Sequence, residues 1–251
     1  MKRIIQIVAG VMLAVSFNQA HATPITIGYD TATIDGTLSA GEWDNAAVWS
    51  VFSGAYAGST FYMMNDDDNL YIALLVIDAT LTNADNMEVR FDNTNNDTID
   101  VGDDELFMSA LGFTDSHFDG TSYGIPDNTD GAGAVQGFGG FNVFEMMHPL
   151  ASGDPFDFNL SAGDTAGFCL RYFDDGVASS ATTNYPVGCS LASNQQSLYV
   201  DFVVATAVPE PGTLALFALG LFGMVFMQRK ALPTVSRRFH MCAFNVQAAL
   251  N

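Results

Sequence analysis

The sequence predicts an all-β protein: a two-sheet antiparallel β-sandwich flanked by an N-terminal signal peptide and a C-terminal hydrophobic helix. Three observations support this prediction. Many short apolar runs with strand periodicity are separated by turns rich in Gly, Asp and Asn. The segment 23–207 is long enough for one domain with a hydrophobic core. Both ends of the chain carry an apolar segment beside basic residues.

The first 22 residues have the layout of a secretory signal peptide. Lys2 and Arg3 precede an apolar stretch at 4–17, and Ala20 and Ala22 are small residues at the positions that a signal peptidase requires. A buried N-terminal helix is the alternative. We expect cleavage after residue 22.

Strand patterns dominate the segment 23–207. The runs "STFYMMND" and "LYIALLVID" are separated by acidic turn residues and predict a hairpin. In "NMEVRFDN", Met87, Val89 and Phe91 alternate with charged residues, which predicts a half-buried strand. Further strands are expected at "DELFMSAL", "FNVFEMMHPL", "GFCLRYFD" and "SLYVDFVVA". Residues 39–42 have a capping-box pattern, and 114–140 is expected to be a long surface loop.

The end of the chain combines a proline-containing segment, an apolar run and basic residues. The first of these is Val208, Pro209, Glu210 and Pro211. Residues 214–227 carry no charge, so we expect a short hydrophobic helix. The basic residues that follow predict a cytoplasmic C-terminus. Together, residues 208–230 resemble the PEP-CTERM sorting signal of Gram-negative bacteria that make extracellular polysaccharide.

That resemblance implies the route taken by the protein. It implies processing by an exosortase, an inner-membrane anchored precursor, and delivery to the cell surface or extracellular matrix. Extracellular polysaccharide is then a candidate partner. Members of the family usually end after the basic cluster, whereas this chain continues through a basic extension at 231–251.

The segment 23–207 is strongly acidic. It holds 27 acidic residues against Arg90 and Arg171, a formal charge of −25. A segment without a basic patch is not expected to bind nucleic acid or anionic lipid. Its two cysteines, Cys169 and Cys189, predict one disulfide in an oxidising compartment, with two separate buried thiols as the alternative.

One acidic stretch, "FDNTNNDTIDVGDDE", has the composition of a calcium site. Calcium takes six to eight oxygen ligands from carboxylates, amides and carbonyls. A solvated acidic hairpin loop is the alternative. The candidate calcium ligands are Asp92, Asn93, Asn95, Asp97, Asp103 and Asp104.

A second resemblance covers most of residues 33–175. The segments "TIDGTLSAGEWDNAAVW", "DDDNLYIALLVID", "MEVRFDN", "GDDELF" and "NVFEMMHPLASGDPFDFNLSAGDTAGFCLRYFDD" occur in an order that resembles family 9 carbohydrate-binding modules and DOMON-like domains. The resemblance implies a β-sandwich. Members of this group bind sugars, haem or calcium.

Sugar recognition requires aromatic rings that stack on pyranose faces, together with polar groups. Trp49, Tyr123 and Phe141 are the candidate ligand-binding residues, although each could serve packing alone. The resemblance makes Trp43 a core residue.

The sequence favours a protein without catalysis. His117 and His148 are the histidines of the segment 23–207, and neither lies in a metalloprotease spacing. A DOMON-like fold could use His148 as a haem ligand, and a histidine at a strand end is the alternative. We therefore expect an exported, non-catalytic surface or matrix protein with carbohydrate as its candidate ligand. The alternative is a structural protein stiffened by calcium, without a sugar ligand. Thr31, Thr33 and Thr37 form no flat array that would favour ice binding.

Overall fold

The structure is a computed structural model that describes residues 23–126, 128–176, 181–189 and 198–207, together with Leu219 and Leu221. The chain divides into two units, residues 1–207 and 208–251. Ala20 and Ala22, the sorting residues 208–211 and the extension 231–251 lie outside the described residues. Leu219 and Leu221 are helical and exposed. Among the described residues, no helix has the length and apolar character needed to cross a bilayer.

In the described part of residues 23–207, the strands form two sheets. The larger sheet has eight strands: β1 (Ile25–Thr26), β6 (Asn86–Asp92), β7 (Asp104–Ser109), β8 (Gly112–His117), β9 (Ile125–Pro126), β12 (Thr165–Asp174), β13 (Ala181–Tyr185) and β14 (Val200–Val203). Its order is β1-β14-β12-β6-β7-β8-β9, with β13 also paired to β12. A single 3₁₀ turn at Gly54–Tyr56 is the helical element of this part of the structure.

The smaller sheet has six strands: β2 (Gly28–Tyr29), β3 (Ala47–Ser50), β4 (Thr60–Asn65), β5 (Asn69–Ile77), β10 (Ala132–Phe138) and β11 (Phe141–Pro149). Its order is β10-β11-β5-β4-β2, with β3 also paired to β4. The predicted hairpin is β4–β5, in which Asn65 pairs with Leu70. The predicted two-sheet β-sandwich is confirmed, and most strand pairs are antiparallel; β1 pairs with β14 and β2 pairs with β4 in parallel.

The core lies between the two sheets. Alternate residues of β6 and β12, including Val89, Phe91 and Phe168, face alternate residues of β5 and β11, including Ile72 and Phe144. All five side chains are fully buried. The period of two along each strand places the intervening residues on the outer faces.

Two strand assignments require correction. The outer residues of β6 are buried as well as the inner ones, so this strand is not half-buried. Residues 114–140 are not one long loop, because they contain most of β8, all of β9 and all of β10. The glycines of this stretch permit close packing rather than only turns: a Cβ on Gly133 would collide with Met108 and Phe113.

Candidate functional site

A groove of about 580 Å³ lies on the outer face of the eight-stranded sheet. Strands β6, β7, β8 and β12 supply its floor, because the residues between their core positions all point outward. The segment after β8 supplies one wall. The lining residues are Glu88, Arg90, Glu105, Phe107, Thr114, Ser116, Thr121, Ser122, Tyr123, Gly124 and Arg171.

The floor of the groove carries a ladder of alternating charges, formed by Glu88, Arg90, Glu105 and Arg171. Arg90 donates from Nε to Glu105 Oε2 at 2.7 Å, and its Nη2 lies 2.6 Å from Glu88 Oε1. Arg171 donates from Nη2 to Glu88 Oε2. Two guanidinium groups therefore balance two carboxylates, and each carboxylate is in contact with at least one arginine.

Tyr123 covers part of this ladder. The Cζ atom of Arg90 lies 3.9 Å from the centre of the Tyr123 ring, which is a cation–π contact. Burial raises the pKa of the Tyr123 phenol, so the group stays protonated and can donate a hydrogen bond. Of the three predicted ligand-binding residues, Tyr123 is the one that lines the groove.

The other two predicted ligand-binding residues lie elsewhere. Trp49 is only 5% exposed, and its ring packs 5.4 Å from Phe168 and 5.8 Å from Phe61 in the core. The expectation that it contacts a ligand is therefore corrected: β3 turns this side chain inward, where solvent does not reach the ring. Phe141 begins β11 in the six-stranded sheet and is partly exposed.

Sequence reasoning missed the arginines of the groove. Arg90 and Arg171 are the two basic residues of the segment 23–207, and its net charge alone gives them no role in a site. Both occupy outward positions in strands that pair with each other, because Cys169 pairs with Arg90 and Glu88 pairs with Arg171. The presence of both scarce cations in predicted strands was the available signal.

A buried carboxylate also anchors the N-terminal segment. Glu145 Oε2 accepts hydrogen bonds from the backbone N–H groups of Asp35, Gly36 and Thr37 at 3.0, 2.7 and 3.2 Å. Its Oε1 accepts one from Trp43 Nε1 at 3.1 Å. Trp43 is buried in a small cluster on this sheet, as the sequence predicts. Burial raises the pKa of Glu145, and these donors oppose the effect.

The predicted calcium loop folds around its own carboxylates. Asp92 Oδ2 accepts the N–H of Asp97 at 2.6 Å, and Asp103 accepts those of Asn93 and Asp100 at 3.3 and 2.8 Å. Burial raises the pKa of Asp103 to about 7. Backbone donors thus satisfy several of the oxygens that calcium would use. Calcium binding here stays a prediction, with Asn95 in a left-handed turn of the same loop.

Asp104 does not belong to this loop, which corrects its assignment as a loop ligand. It is the first residue of β7, and its side chain points into the sandwich. There it meets Asp115 of β8, His148 of β11 and Asp157 of the loop after β11. One ligand atom from each of these four buried side chains lies within 4.8 Å of the others. We call this group the inner cluster.

His148 lies at the centre of the inner cluster. Its Nε2 lies 3.1 Å from Asp115 Oδ2 and 3.4 Å from Asp157 Oδ2, and its Nδ1 lies 2.8 Å from the carbonyl of Pro149. Burial alone would lower the pKa of His148, but the contacts with Asp115 and Asp157 and the charge of Asp104 raise it to about 10. The histidine lies at a strand end, as one sequence alternative had it.

The disulfide expected from the sequence is present in the structure. Cys169 of β12 is bonded to Cys189, with the two Cα atoms 6.0 Å apart. Both residues are buried. The bond connects the central strand β12 to the segment that follows β13.

Comparison with solved structures identifies the fold. Two structures of a family 9 carbohydrate-binding module from Caldicellulosiruptor kristjanssonii, in complex with glucose and with cellotriose, have TM-scores of 0.56 and 0.55. Each is 18% identical, covering 75% of this chain and 100% of the module. A candidate carbohydrate-binding protein from Bacteroides uniformis has a TM-score of 0.53 at 9% identity, covering 73% of this chain and 99% of that chain. The described domain therefore has the β-sandwich fold of these proteins.

Comparison at the level of sequence identifies the tail. No curated protein matches the chain. Residues 207–230 match the model of the PEP-CTERM protein-sorting motif, which agrees with the interval 208–230 expected from the residues. The motif indicates an exported protein of Gram-negative bacteria that is sorted through an exosortase. In sequence, the chain thus carries a PEP-CTERM sorting motif C-terminal to a domain with the fold of a family 9 carbohydrate-binding module.

Proposed function

We propose that this exported protein binds carbohydrate without catalysis, and that the groove on the eight-stranded sheet is its sugar site. The observation that carries the proposal is the composition of the groove. It combines an aromatic side chain, Tyr123, with a charge-balanced ladder and exposed hydroxyl groups such as those of Thr114 and Thr121. Sugar sites need this combination, because aromatic rings contact the apolar faces of pyranose rings and polar groups orient the hydroxyls.

The charge of the groove favours a neutral saccharide. The segment 23–207 has a formal charge of −25, yet both of its basic side chains lie in this groove. Arg90 and Arg171 offset Glu88 and Glu105 there, so the groove is locally neutral. Arginine and carboxylate groups that hold one another in fixed positions can donate to and accept from sugar hydroxyls without reorganising.

The structural neighbours support the same ligand class. Two of them are family 9 modules in complex with glucose and cellotriose. We propose a saccharide of the polysaccharide matrix as the ligand of this chain. The alternative, a structural protein that is stiffened by calcium and has no sugar ligand, stays a prediction.

A glycan array with the full-length chain tests the proposal, followed by calorimetry with the best ligand. Tyr123→Ala should weaken binding by roughly tenfold, which corresponds to about 1.4 kcal/mol of lost stacking and ordering of Arg90. Phe141→Ala is the matched control, since it removes a partly exposed aromatic ring from the other sheet, and it should leave the affinity unchanged. An array without binding would favour the structural alternative. A loss of sugar affinity confined to Phe141→Ala would place the site on the six-stranded sheet instead.

The sorting route has its own test. We propose that an exosortase recognises the Pro209-Glu210-Pro211 segment, and that the chain passes through an inner-membrane anchored stage before it reaches the surface or matrix. Replacing these three residues with alanine should leave the full-length chain in the inner membrane. Membrane fractionation and immunoblotting measure this, with Thr213→Ala as the control. Identical fractionation of the triple variant and the natural chain would exclude recognition of this segment.

A further inference from the structure

The inner cluster holds more negative charge than its own chain offsets. It contains three carboxylates, Asp104, Asp115 and Asp157, and one imidazole, all of them buried. Even with His148 and the nearby His117 both protonated, the three carboxylates would leave one negative charge in excess. An excess of buried charge of one sign is costly because water cannot solvate it.

No lysine or arginine of the described residues can supply the missing charge. Arg90 and Arg171 are the basic side chains of the segment 23–207, and both lie on the opposite face of the eight-stranded sheet. They are already engaged by Glu88 and Glu105. The counter-charge for the inner cluster must therefore come from protons or from a bound cation.

An oxygen of Asp115 without a hydrogen-bond partner favours a bound cation over protons alone. The Asp115 side chain is fully buried, and its Oδ1 has no hydrogen-bond partner. Its Oδ2 already receives the contacts with His148 Nε2 and with the N–H of Asp130. A buried carboxylate oxygen without a donor is uncommon in folded proteins and indicates an additional ligand.

The orientation of His148 points the same way. Its Nδ1 lies 2.8 Å from the carbonyl of Pro149, which fixes the proton on Nδ1 and directs Nε2 at the carboxylates. Without an ion, Nε2 carries a proton toward the carboxylates; a metal ion would displace that proton and bind the Nε2 lone pair. Histidines that bind metals commonly hold their second nitrogen in this way, by donation to a backbone carbonyl.

We propose that the inner cluster is a structural zinc site, with Asp104, Asp115, Asp157 and His148 as its ligands. Three carboxylate oxygens and one imidazole nitrogen form a four-coordinate set that zinc accepts at bond lengths of about 2.0–2.2 Å. Ligand atoms within 4.8 Å of one another need only small side-chain rotations to reach it. Calcium fits less well, because it prefers six to eight oxygen ligands and the cluster supplies a nitrogen.

The position of the ligands indicates a structural role. Asp104 and Asp115 belong to neighbouring strands of the eight-stranded sheet, His148 to the six-stranded sheet, and Asp157 to a loop. An ion bound to all four would join the two layers of the sandwich at one end. Four protein ligands and complete burial leave no open position for a substrate, as in closed structural sites.

The experiment measures metal content and affinity in the full-length chain. Elemental analysis after purification without chelators should find about one zinc ion per chain, the number that this one site predicts. Asp157→Asn should lower zinc affinity at least ~100-fold, since even the loss of an outer-shell partner costs 10–100-fold. Asp100→Asn, in the acidic loop 93–103 between β6 and β7, is the control and should change neither zinc content nor affinity.

X-ray absorption of the zinc-bound natural chain provides a readout that does not depend on a variant that folds. It should show nitrogen and oxygen ligands with the scattering signature of one imidazole and no sulfur. Zinc that survives Asp157→Asn but is lost in Asp100→Asn would place the ion in the acidic loop and overturn the proposal. A chain that holds no zinc, with melting unchanged by added zinc or by chelator, would also overturn it. Calcium or manganese in place of zinc would overturn the identity of the ion.

Discussion

Two polar networks lie on opposite faces of the eight-stranded sheet, and two residues that are adjacent in sequence, Asp104 and Glu105, belong to different networks. Glu105 points outward into the groove, where Arg90 donates to it at 2.7 Å. Asp104 points inward to the inner cluster, where three buried carboxylates lie close to the imidazole of His148. The outer network is charge-balanced by the chain itself and the inner one is not. Of two acidic residues that are adjacent in sequence, one can thus be neutralised by the chain's own arginines while the other lies in a cluster with excess negative charge.

The largest loss of stability is expected when an arginine that neutralises the carboxylates of the outer network is removed. Arg90→Met keeps much of the side-chain volume but leaves Glu88 and Glu105 without their shared cation. Both carboxylates are nearly buried, so the free energy of unfolding should fall by about 3–5 kcal/mol. Urea denaturation of the full-length chain measures the change.

Arg171→Met is the control for this prediction, because its side chain is 25% exposed and Glu88 would keep its contact with Arg90. A smaller loss is expected there. Equal stability of the Arg90→Met variant and the natural chain would show that the outer network does not depend on ionic balance.

A smaller loss of stability is expected at Glu145, a buried carboxylate whose hydrogen bonds come mainly from backbone N–H groups. Glu145→Gln retains the shape but replaces charge-assisted hydrogen bonds from the N–H groups of residues 35–37 with neutral ones. We expect a loss of about 1–2 kcal/mol in the free energy of unfolding, measured by the same denaturation. Asp44→Asn, which removes an exposed carboxylate, is the surface control. Unchanged stability of Glu145→Gln would mean that the N-terminal segment is held by Trp43 packing alone.

The smallest effect is expected in the acidic loop 93–103 between β6 and β7, where calcium remains a prediction. Backbone donors already satisfy Asp92 and Asp103, so we expect weak binding. At a tenfold excess of calcium over its dissociation constant, the folded state would gain about 1.4 kcal/mol. Thermal melting with calcium and with chelator, at matched ionic strength, measures the gain.

Asp97→Ala should abolish the gain from calcium, while Asp67→Ala in the β4–β5 turn should not. A melting temperature that does not respond to calcium in the natural chain would leave the loop as a hydrogen-bonded acidic turn. The zinc experiment is independent of this outcome, because its ligands lie in the interior.

The strand pattern was informative wherever hydrophobic residues alternate with polar ones. Met87, Val89 and Phe91 face the core as their alternation predicts. The pattern failed between residues 114 and 140, where glycines permit close packing of β10. It also failed for the outer residues of β6, because Tyr123 and its neighbours cover them after folding.

Part of the candidate site was visible in the sequence and part was not. Tyr123 was predicted from its residue type and lines the groove. Trp49 was predicted on the same ground and is buried, because residue type does not indicate which side of a strand faces solvent. The inner cluster had no local signal, since its members are spread from residue 104 to residue 157 and occur in no known spacing.

The sequence by itself determined the fold class, the acidic character of the segment 23–207, the cysteine pair and the sorting motif at 207–230. These are local or compositional properties, which depend on periodicity, residue counts and contiguous segments. Only the tertiary structure decided which charges are balanced. Pairing of β6 with β12 brings Arg90 and Arg171 to the same carboxylates, and packing of the two sheets brings His148 to three buried aspartates. The physical reason is that electrostatic energy depends on distance and burial in space, which the order of residues along the chain does not specify.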